Sequence, residues 1–595
     1  MNTASIAVRW KSCLPLRRAN RPCMPMGTTS TFPLFDILGA VAITWMTAAS
    51  VAAHDRAIGV DHNLKPIQVW LDTNWDADER DPLRVVLVAN EAGDSQARVA
   101  SLVRWWESKA GMELRSAVRI AALGVPLTVD DATLVFPPEG PAYSRSSPAS
   151  SHSIWRWMGI AAVDLVIVCG SDDDLAWSIT PCEATRGLHA AMEKQFPGKQ
   201  QPAREGSSLA MALPANRVAG VGSIPAVQLN ERGVSERSLR ELLAAMGSMT
   251  PVEHSSAARE IDRRRTRTAA EVASQLAEHY GHELPAVEYI PVVALWARMR
   301  RDEFLDRGVS RLDAERLAEP FRSGAKLASN ESGSAMAGHL LFTELARRSR
   351  GDARQRWIEL AKRAADLAFD ESGAARDVVP HHLEMSDALF MAGPLLAAVG
   401  GLTEEQKYFD ACRNHLRTML RLLEREDGLL RHSPLCDAAW GRGNGFAALG
   451  LALCLAEWPV GDPWRDQLAD RSRRHLDALL AHQDANGMWH QVVDRPESYA
   501  ELSCTCMIAW TLIEGMQAGW IDRSKFDPVL RRAWDGIRRR IGSDGTLVDV
   551  CTGTGKQPSL QDYLQRESIL GRDARGGAMA LMLATRLAEW ELPGE

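Results

Sequence analysis

The stretch His381 to Pro394, HHLEMSDALFMAGP, sets a carboxylate, Asp387, one residue into an otherwise apolar helical run, with His381, His382 and Glu384 just before it. A carboxyl group in that place has two readings. As a helix N-cap it would accept a backbone N–H, worth about 1 kcal/mol. Flanked by Met385 and apolar neighbours, it would instead lie in low dielectric, which favours the neutral acid and suits proton donation. The paired histidines do not make a metal site. Adjacent side chains on a helix point to different faces, and zinc needs convergent ligands. Neither a metal nor another cofactor is expected.

A second cluster follows in Leu429 to Phe446, LLRHSPLCDAAWGRGNGF, which holds His432, Trp440, Arg442, Asn444 and Phe446. Arg442 could clamp a carboxylate through two parallel hydrogen bonds, and Trp440 and Phe446 offer stacking faces. A glycine-rich turn with a structural Arg–Asp pair is the alternative. No strand precedes the glycines, so a dinucleotide reading of them is weak. Further along, GMWHQVVDRPESYAELSCT supplies Trp489, His490, Asp494, Tyr499 and Glu501 ahead of another apolar run. DVCTGTGKQPSLQDYL and ILGRDARGGAMA repeat the arrangement. The GTGK within the former lacks the spacing and the following Ser or Thr of a phosphate loop.

Two textures must position these residues. From about Pro66 to Thr250, short apolar runs such as VVLVAN and DLVIVCG alternate with helical patterns such as Ser95 to Ala110, as in an α/β layer domain with buried parallel strands. The acidic loop Ser171 to Asp174 follows one strand, and Ser146 to Ser153 reads as a loose surface loop. Beyond a polar, Arg-rich link, Ala257 to Glu271, the pattern becomes helical. Six runs rich in Ala, Gly and Leu alternate with charged amphipathic helices, the signature of repeated helical hairpins. Closure into a double ring is expected, with an open solenoid as the structural alternative. The fold class is therefore multidomain, α/β followed by all-α: residues 1–53 a signal peptide, 54–255 an α/β domain and 256–595 a helical barrel.

Composition narrows the partners. The chain has 595 residues, a formal charge of -7 and nineteen tryptophans. That balance excludes a nucleic-acid footprint, which needs a basic face, while many indoles keep sugar stacking open. Five basic residues and then Ile37 to Ala53, apolar and ending in small residues, have the layout of a secretory signal cleaved near Ala53. Export to the periplasm or the exterior is expected, with an N-terminal membrane anchor as the alternative. The cysteines show no metal-like spacing and read as buried thiols, with disulfide pairing left open.

MSDALFMAGPLL, WGRGNGFAALGLA, GMWHQVVDRPESYAELS and GRDARGGAMALMLA occur in this order. Together they resemble the unsaturated glucuronyl and rhamnogalacturonyl hydrolases of glycoside hydrolase families 88 and 105, over roughly Ala269 to Glu595. The resemblance implies an (α/α)6 barrel that removes the 4,5-unsaturated uronic acid left by polysaccharide lyases. It implies Asp387 as the acid that protonates C4, with water adding at C5. Arg442 would meet the uronate carboxylate or the neighbouring sugar. Trp440 and Phe446 would line the cleft, with His382, His432 and Asn444 nearby, and the glycines would let Arg442 reach the sugar. The family's second aspartate is missing: ASNESGSAMAGHLL offers Asn330 and Glu331, so either Glu331 substitutes or that role is lost. Phe446 also replaces the more usual Trp. Saccharide binding without turnover and sugar epimerisation are the alternative functions.

Overall fold

Short runs of branched residues build the first region, because both faces of their sheet are covered. In the computed structural model the strands β1 (His54–Val60), β2 (Pro66–Leu71), β3 (Leu83–Ala89), β4 (Val118–Leu123), β5 (Leu165–Cys169), β6 (Ala176–Ser178) and β7 (Ala226–Asn230) form one sheet in the order β1-β2-β4-β3-β5-β7-β6. The model describes residues 54–77, 82–108, 112–129, 132–140, 149–170, 176–179, 186–201, 208–230, 241–244, 254–305 and 308–591. The expected signal segment and the Ser171–Asp174 loop lie outside these. The central strands β4, β3, β5 and β7 run parallel, whereas β1, β2 and β6 are antiparallel to their neighbours. Val85 and Leu87 of β3 pack under α1 (Asp94–Glu107), while Val86 and Val88 pack under α2 (Ala149–Ile160). A strand covered on both sides must be apolar at every position, as β3 nearly is.

Two expectations fail here. Ser150, Ser151, His152 and Ser153 are not a loose loop but buried in α2, where small side chains let the helix lie close to the sheet. The Arg-rich link is α5 (Ser256–Thr266) and α6 (Ala269–Ala277), which follow α3 (Arg186–Gln195) and α4 (Leu209–Ala215). Arg264 is buried and donates to Glu260 and to the carbonyls of Arg539 and Gly220. Arg267 donates to the Arg538 and Ile541 carbonyls, and burial lowers its pKa to about 10. These arginines bind backbone oxygens of the helical region to the sheet region, which a charge pattern alone does not reveal.

The remaining helices are α7 (Tyr289–Phe304), α8 (Val309–Arg322), α9 (Gly333–Gly338), α10 (Leu340–Arg348), α11 (Gly351–Ala365), α12 (Ala388–Met391), α13 (Gly393–Thr403), α14 (Gln406–Leu423), α15 (Gly441–Glu457), α16 (Pro463–Leu480), α17 (Leu502–Ala518), α18 (Arg523–Arg539), α19 (Leu560–Leu564) and α20 (Ala574–Trp590). Among the described residues, α7, α10, α13, α15, α17 and α20 each pack on the next, and α20 returns to α7. The ring is closed. Each inner helix also carries one outer helix: α6, α8, α11, α14, α16 or α18.

Helix α15 is buried on all sides and α14 along one stripe, Tyr408 through Leu423, as inner and outer positions require. Glycine sets the inner spacing: a Cβ on Gly450 would lie 2.7 Å from the Leu389 backbone. Outer helices rely on caps. Thr268 and Glu271 form a capping box on α6, and Asp462 caps α16. Strands β8 (Leu547–Cys551) and β9 (Ser568–Gly571) form a hairpin between α18 and α20.

Candidate active site

Asp387 stands at the N-cap position of α12, yet its side chain makes no capping hydrogen bond. The capping role is therefore not what holds this carboxylate in place. Its Oδ2 instead lies 3.1 Å from Nε2 of His432, and Nδ1 of His432 lies 2.7 Å from the Tyr563 hydroxyl. The Gln557 amide donates to that same hydroxyl at 3.1 Å. With one lone pair so occupied, the phenol is free to donate to Nδ1, which leaves the imidazole hydrogen on Nε2, directed at Asp387. Burial pushes the Tyr563 phenol up to about 12, so it keeps its proton. His432 and Tyr563 are fully buried, and Asp387 alone of the three retains some exposure, at 8 %. Among the described residues its Oδ1 has no hydrogen-bond partner.

The backbone enforces this pairing. The Ser386 amide donates to the His432 carbonyl at 2.9 Å, and the His432 amide donates to the Ala438 carbonyl. Asn444, expected near a ligand, is fully buried and clamps the His432 loop. Its Oδ1 accepts from the Leu430 amide at 2.9 Å, and its Nδ2 donates to the carbonyls of Leu430 and Trp440. His415 supports the other side: it accepts from the Val379 amide and donates to the Ala388 carbonyl, one residue past Asp387.

The glycines around Arg442 have a different use from the one expected. A Cβ on Gly443 would fall 2.3 Å from Ser386 Oγ, on Gly441 2.4 Å from the His490 carbonyl, and on Gly445 3.1 Å from the Cys504 backbone. They let the head of α15 approach three neighbours, one of which carries Asp387. Arg442, expected at the sugar, turns its guanidinium to backbone oxygens. It is buried and donates to the carbonyls of Cys551, at 2.5 Å, and Thr552, with its guanidinium 4.8 Å from the Trp440 ring. Burial opposes its charge, but the surrounding groups, Glu501 among them, hold its pKa above the ordinary value. Glu501 itself is tied to the Cys504 and Cys551 amides.

Trp440 and Phe446 are likewise wall rather than cleft surface, each 1 % exposed. Trp440 lies 4.3 Å from the His432 ring, and Phe446 stacks on Phe390 at 5.2 Å. His382 is half-buried and its Nδ1 accepts from the Glu384 amide, so it holds its own loop rather than Asp387. That loop is strained: His381, Leu383 and Glu384 all have positive φ, uncommon for residues other than glycine. Lys556 pairs with Glu384 at 3.2 Å and ties the loop to the segment after β8. Glu331 is exposed at the head of α9, close to the same loop, since Gly333 faces the His381 carbonyl.

Tyr563 is the residue that motif reading missed. Only six tyrosines occur in the chain, and one in the segment that precedes the last inner helix was the available signal. Among the described residues no cluster of three His, Cys, Asp or Glu side chains could hold a metal ion. All seven described cysteines are free thiols.

Comparison with known proteins bears on the helical region. An unsaturated rhamnogalacturonyl hydrolase, YesR of Bacillus subtilis, is 30% identical over 200 residues, which cover 32% of this chain and 56% of that protein. An unsaturated 3S-rhamnoglycuronyl hydrolase of Formosa agariphila is 27% identical over 198 residues, covering 30% and 52%. The chain thus spans about half the length of these curated relatives. A solved structure of a possible member of family GH105 from Klebsiella pneumoniae aligns with a TM-score of 0.47 at 21% identity, covering 56% of this chain and 93% of that one. The model of Glycosyl Hydrolase Family 88 matches residues 256–590, more than half the sequence, and the chain belongs to that family.

Proposed function

We propose that this chain removes a 4-deoxy-4,5-unsaturated uronic acid from lyase-generated oligosaccharides by hydrating its vinyl ether. The observation that carries the reading is the division of labour on Asp387. Buried His432 fixes Oδ2, and Oδ1 is left without a partner among the described residues. A carboxyl held through one oxygen presents the other in a defined direction, as general acid catalysis requires.

In the proposed reaction the Oδ1 proton passes to C4, and the positive charge at C5 is shared with the ring oxygen. Water adds at C5 and returns a proton to the Asp387 carboxylate. The resulting hemiketal opens, the C1 hemiacetal collapses to an aldehyde, and the remaining sugar leaves as an alcohol. Asp387 ends as it began. His432 and Tyr563 are positioning residues here: neither changes its net proton count, and both keep the acid's geometry constant. Residues 54–255 are proposed to form a separate α/β domain packed against the catalytic ring.

The test is the ultraviolet absorbance of the conjugated C4=C5 bond in lyase-generated disaccharides. Wild-type protein is expected to abolish it, and Asp387→Asn to slow the decay by about 10³-fold with circular dichroism unchanged. Turnover by a folded Asp387→Asn protein at the wild-type rate would remove the assignment.

A further inference from the structure

A cavity of about 340 Å³ lies between the sheet region and the helical ring. None of Asp387, His432 or Trp440 lines it. Its size falls at the low end of the range for small-molecule sites. The sheet side contributes Trp75, Arg84, Arg156 and Trp157, and the ring contributes His490, Tyr499, Arg539 and Arg540. The exposed residues Asp55, Gln68 and Pro496 mark its edge toward solvent.

Acid–base accounting in this crevice leaves donors over. Arg56 is matched by Asp76 through two bonds. One carboxylate, Asp549, serves two arginines: Arg540 Nε at 3.0 Å and Arg156 Nε at 3.1 Å. Asp484 faces His490 at 3.4 Å and accepts from the Met488 amide. Arg539 pairs with Asp535, which lies outside the lining. After these pairings, Nη1 of Arg156 and Nε of Arg539 are buried without a hydrogen-bond acceptor among the described residues. Arg156 is itself 96 % buried, at 4 % exposure. The Arg84 side chain has one long bond, 3.3 Å to the Ala77 carbonyl. Burial and the charge of Arg539 lower its pKa, against the weaker pull of Asp164 and Asp262.

Aromatic surface stands beside these donors. Trp157 is half-buried and stacks on Trp75 at 6.2 Å and 18°, and Tyr499 lies 5.2 Å from the Arg156 guanidinium. Unmet guanidinium donors call for an oxyanion. An indole beside them suits the apolar face of a sugar ring rather than a free inorganic anion.

We infer that this crevice is a second saccharide site, one that takes a carboxylate-bearing sugar, saturated or not, apart from the Asp387 centre. The inference rests on the reading of the chain as a protein of uronyl oligosaccharides, and it does not require turnover. It gives the sheet region a role: to hold an acidic unit of the polymer or of a product at the junction.

The probe is saturated digalacturonate, which has no C4=C5 bond, titrated by calorimetry into the full chain. Digalacturonate is expected to bind saturably, to bind Asp387→Asn equally well, and to lose about tenfold in affinity in Arg84→Met. Trp157→Ala is expected to weaken it as well, and galactose, which lacks the carboxylate, to show no saturable binding. Thermal melts check that both variants fold, and two separate substitutions keep the test valid if one does not. Absence of saturable binding would overturn the inference. So would loss confined to Asp387→Asn. Inorganic phosphate binding as tightly as digalacturonate, with Trp157→Ala without effect, would also overturn it by marking a plain anion site. Failed turnover with digalacturonate binding intact would count against the hydrolase reading alone.

Discussion

Two sets of buried arginines separate the ring from its junction with the sheet. In the ring, Arg442 spends its guanidinium on the carbonyls of Cys551 and Thr552 and packs on Trp440. At the junction, Arg156 and Arg539 keep buried N–H groups with no acceptor among the described residues, and Arg84 feels the charge of another arginine. The residue type is the same and the surroundings decide its use. An arginine whose donors end on backbone oxygens is a strap. One that keeps a buried N–H beyond its pairings is available to a ligand, because an unmet buried donor is costly until something fills it.

That contrast can be broken by substitution, and Arg442→Met should have the largest effect. It leaves two carbonyls without donors and Glu501 without a nearby cation, at a cost of about 3–5 kcal/mol. A denaturant titration reads it, and a midpoint equal to wild type would show that Arg442 is not structural.

Gly443→Ala comes next. Alanine is ordinarily the better helix former, but here its Cβ would strike Ser386 Oγ. Moving Asp387 by even ~1 Å should slow turnover about 10²-fold. Activity equal to wild type would mean the α12 loop shifts at no cost to the site.

The two regions should also share a response to acid. Burial lowers His339 and His415 in the ring, and His152 in the sheet region, to about 4. In the unfolded chain these imidazoles take up a proton at their usual value, so between the two values the unfolded state binds more protons. Their contribution to stability is complete above about pH 6.5 and is lost as pH falls toward 4. At pH 5.5 each accounts for about 1 kcal/mol of lost stability. His415→Gln should flatten this dependence in melts recorded from pH 7 to 5. An unchanged slope would contradict it.

Arg84→Met should change stability by no more than about 1 kcal/mol, since it removes one long bond and relieves the repulsion from Arg539. Destabilisation as large as that of Arg442→Met would make the junction arginines straps too.

The sequence carried some of this plainly and some not at all. Runs such as GFAALGLALCLA announce inner helices because a helix buried all round admits only small and apolar residues. Asp387 was legible for the same reason, as a charge among residues that exclude it. The destination of Arg442 was not, because its partners are backbone carbonyls and these leave no mark in side-chain type. Tyr563 was hidden by distance along the chain: 131 residues separate it from His432. The serines of α2 misled, since a small polar run reads as a loop until a sheet surface lies beside it. The unmet donors at the junction depend on which acids are already paired, and only packing decides that.

Asp387 hands a proton to an alkene carbon in the proposed reaction, and isotopic labelling tests that step directly. In deuterium oxide, wild-type protein should release a product carrying one deuterium at C4, and Asp387→Asn should release almost none. Release of the remaining sugar with no deuterium at C4 would contradict hydration of the vinyl ether and point to cleavage at the glycosidic carbon instead.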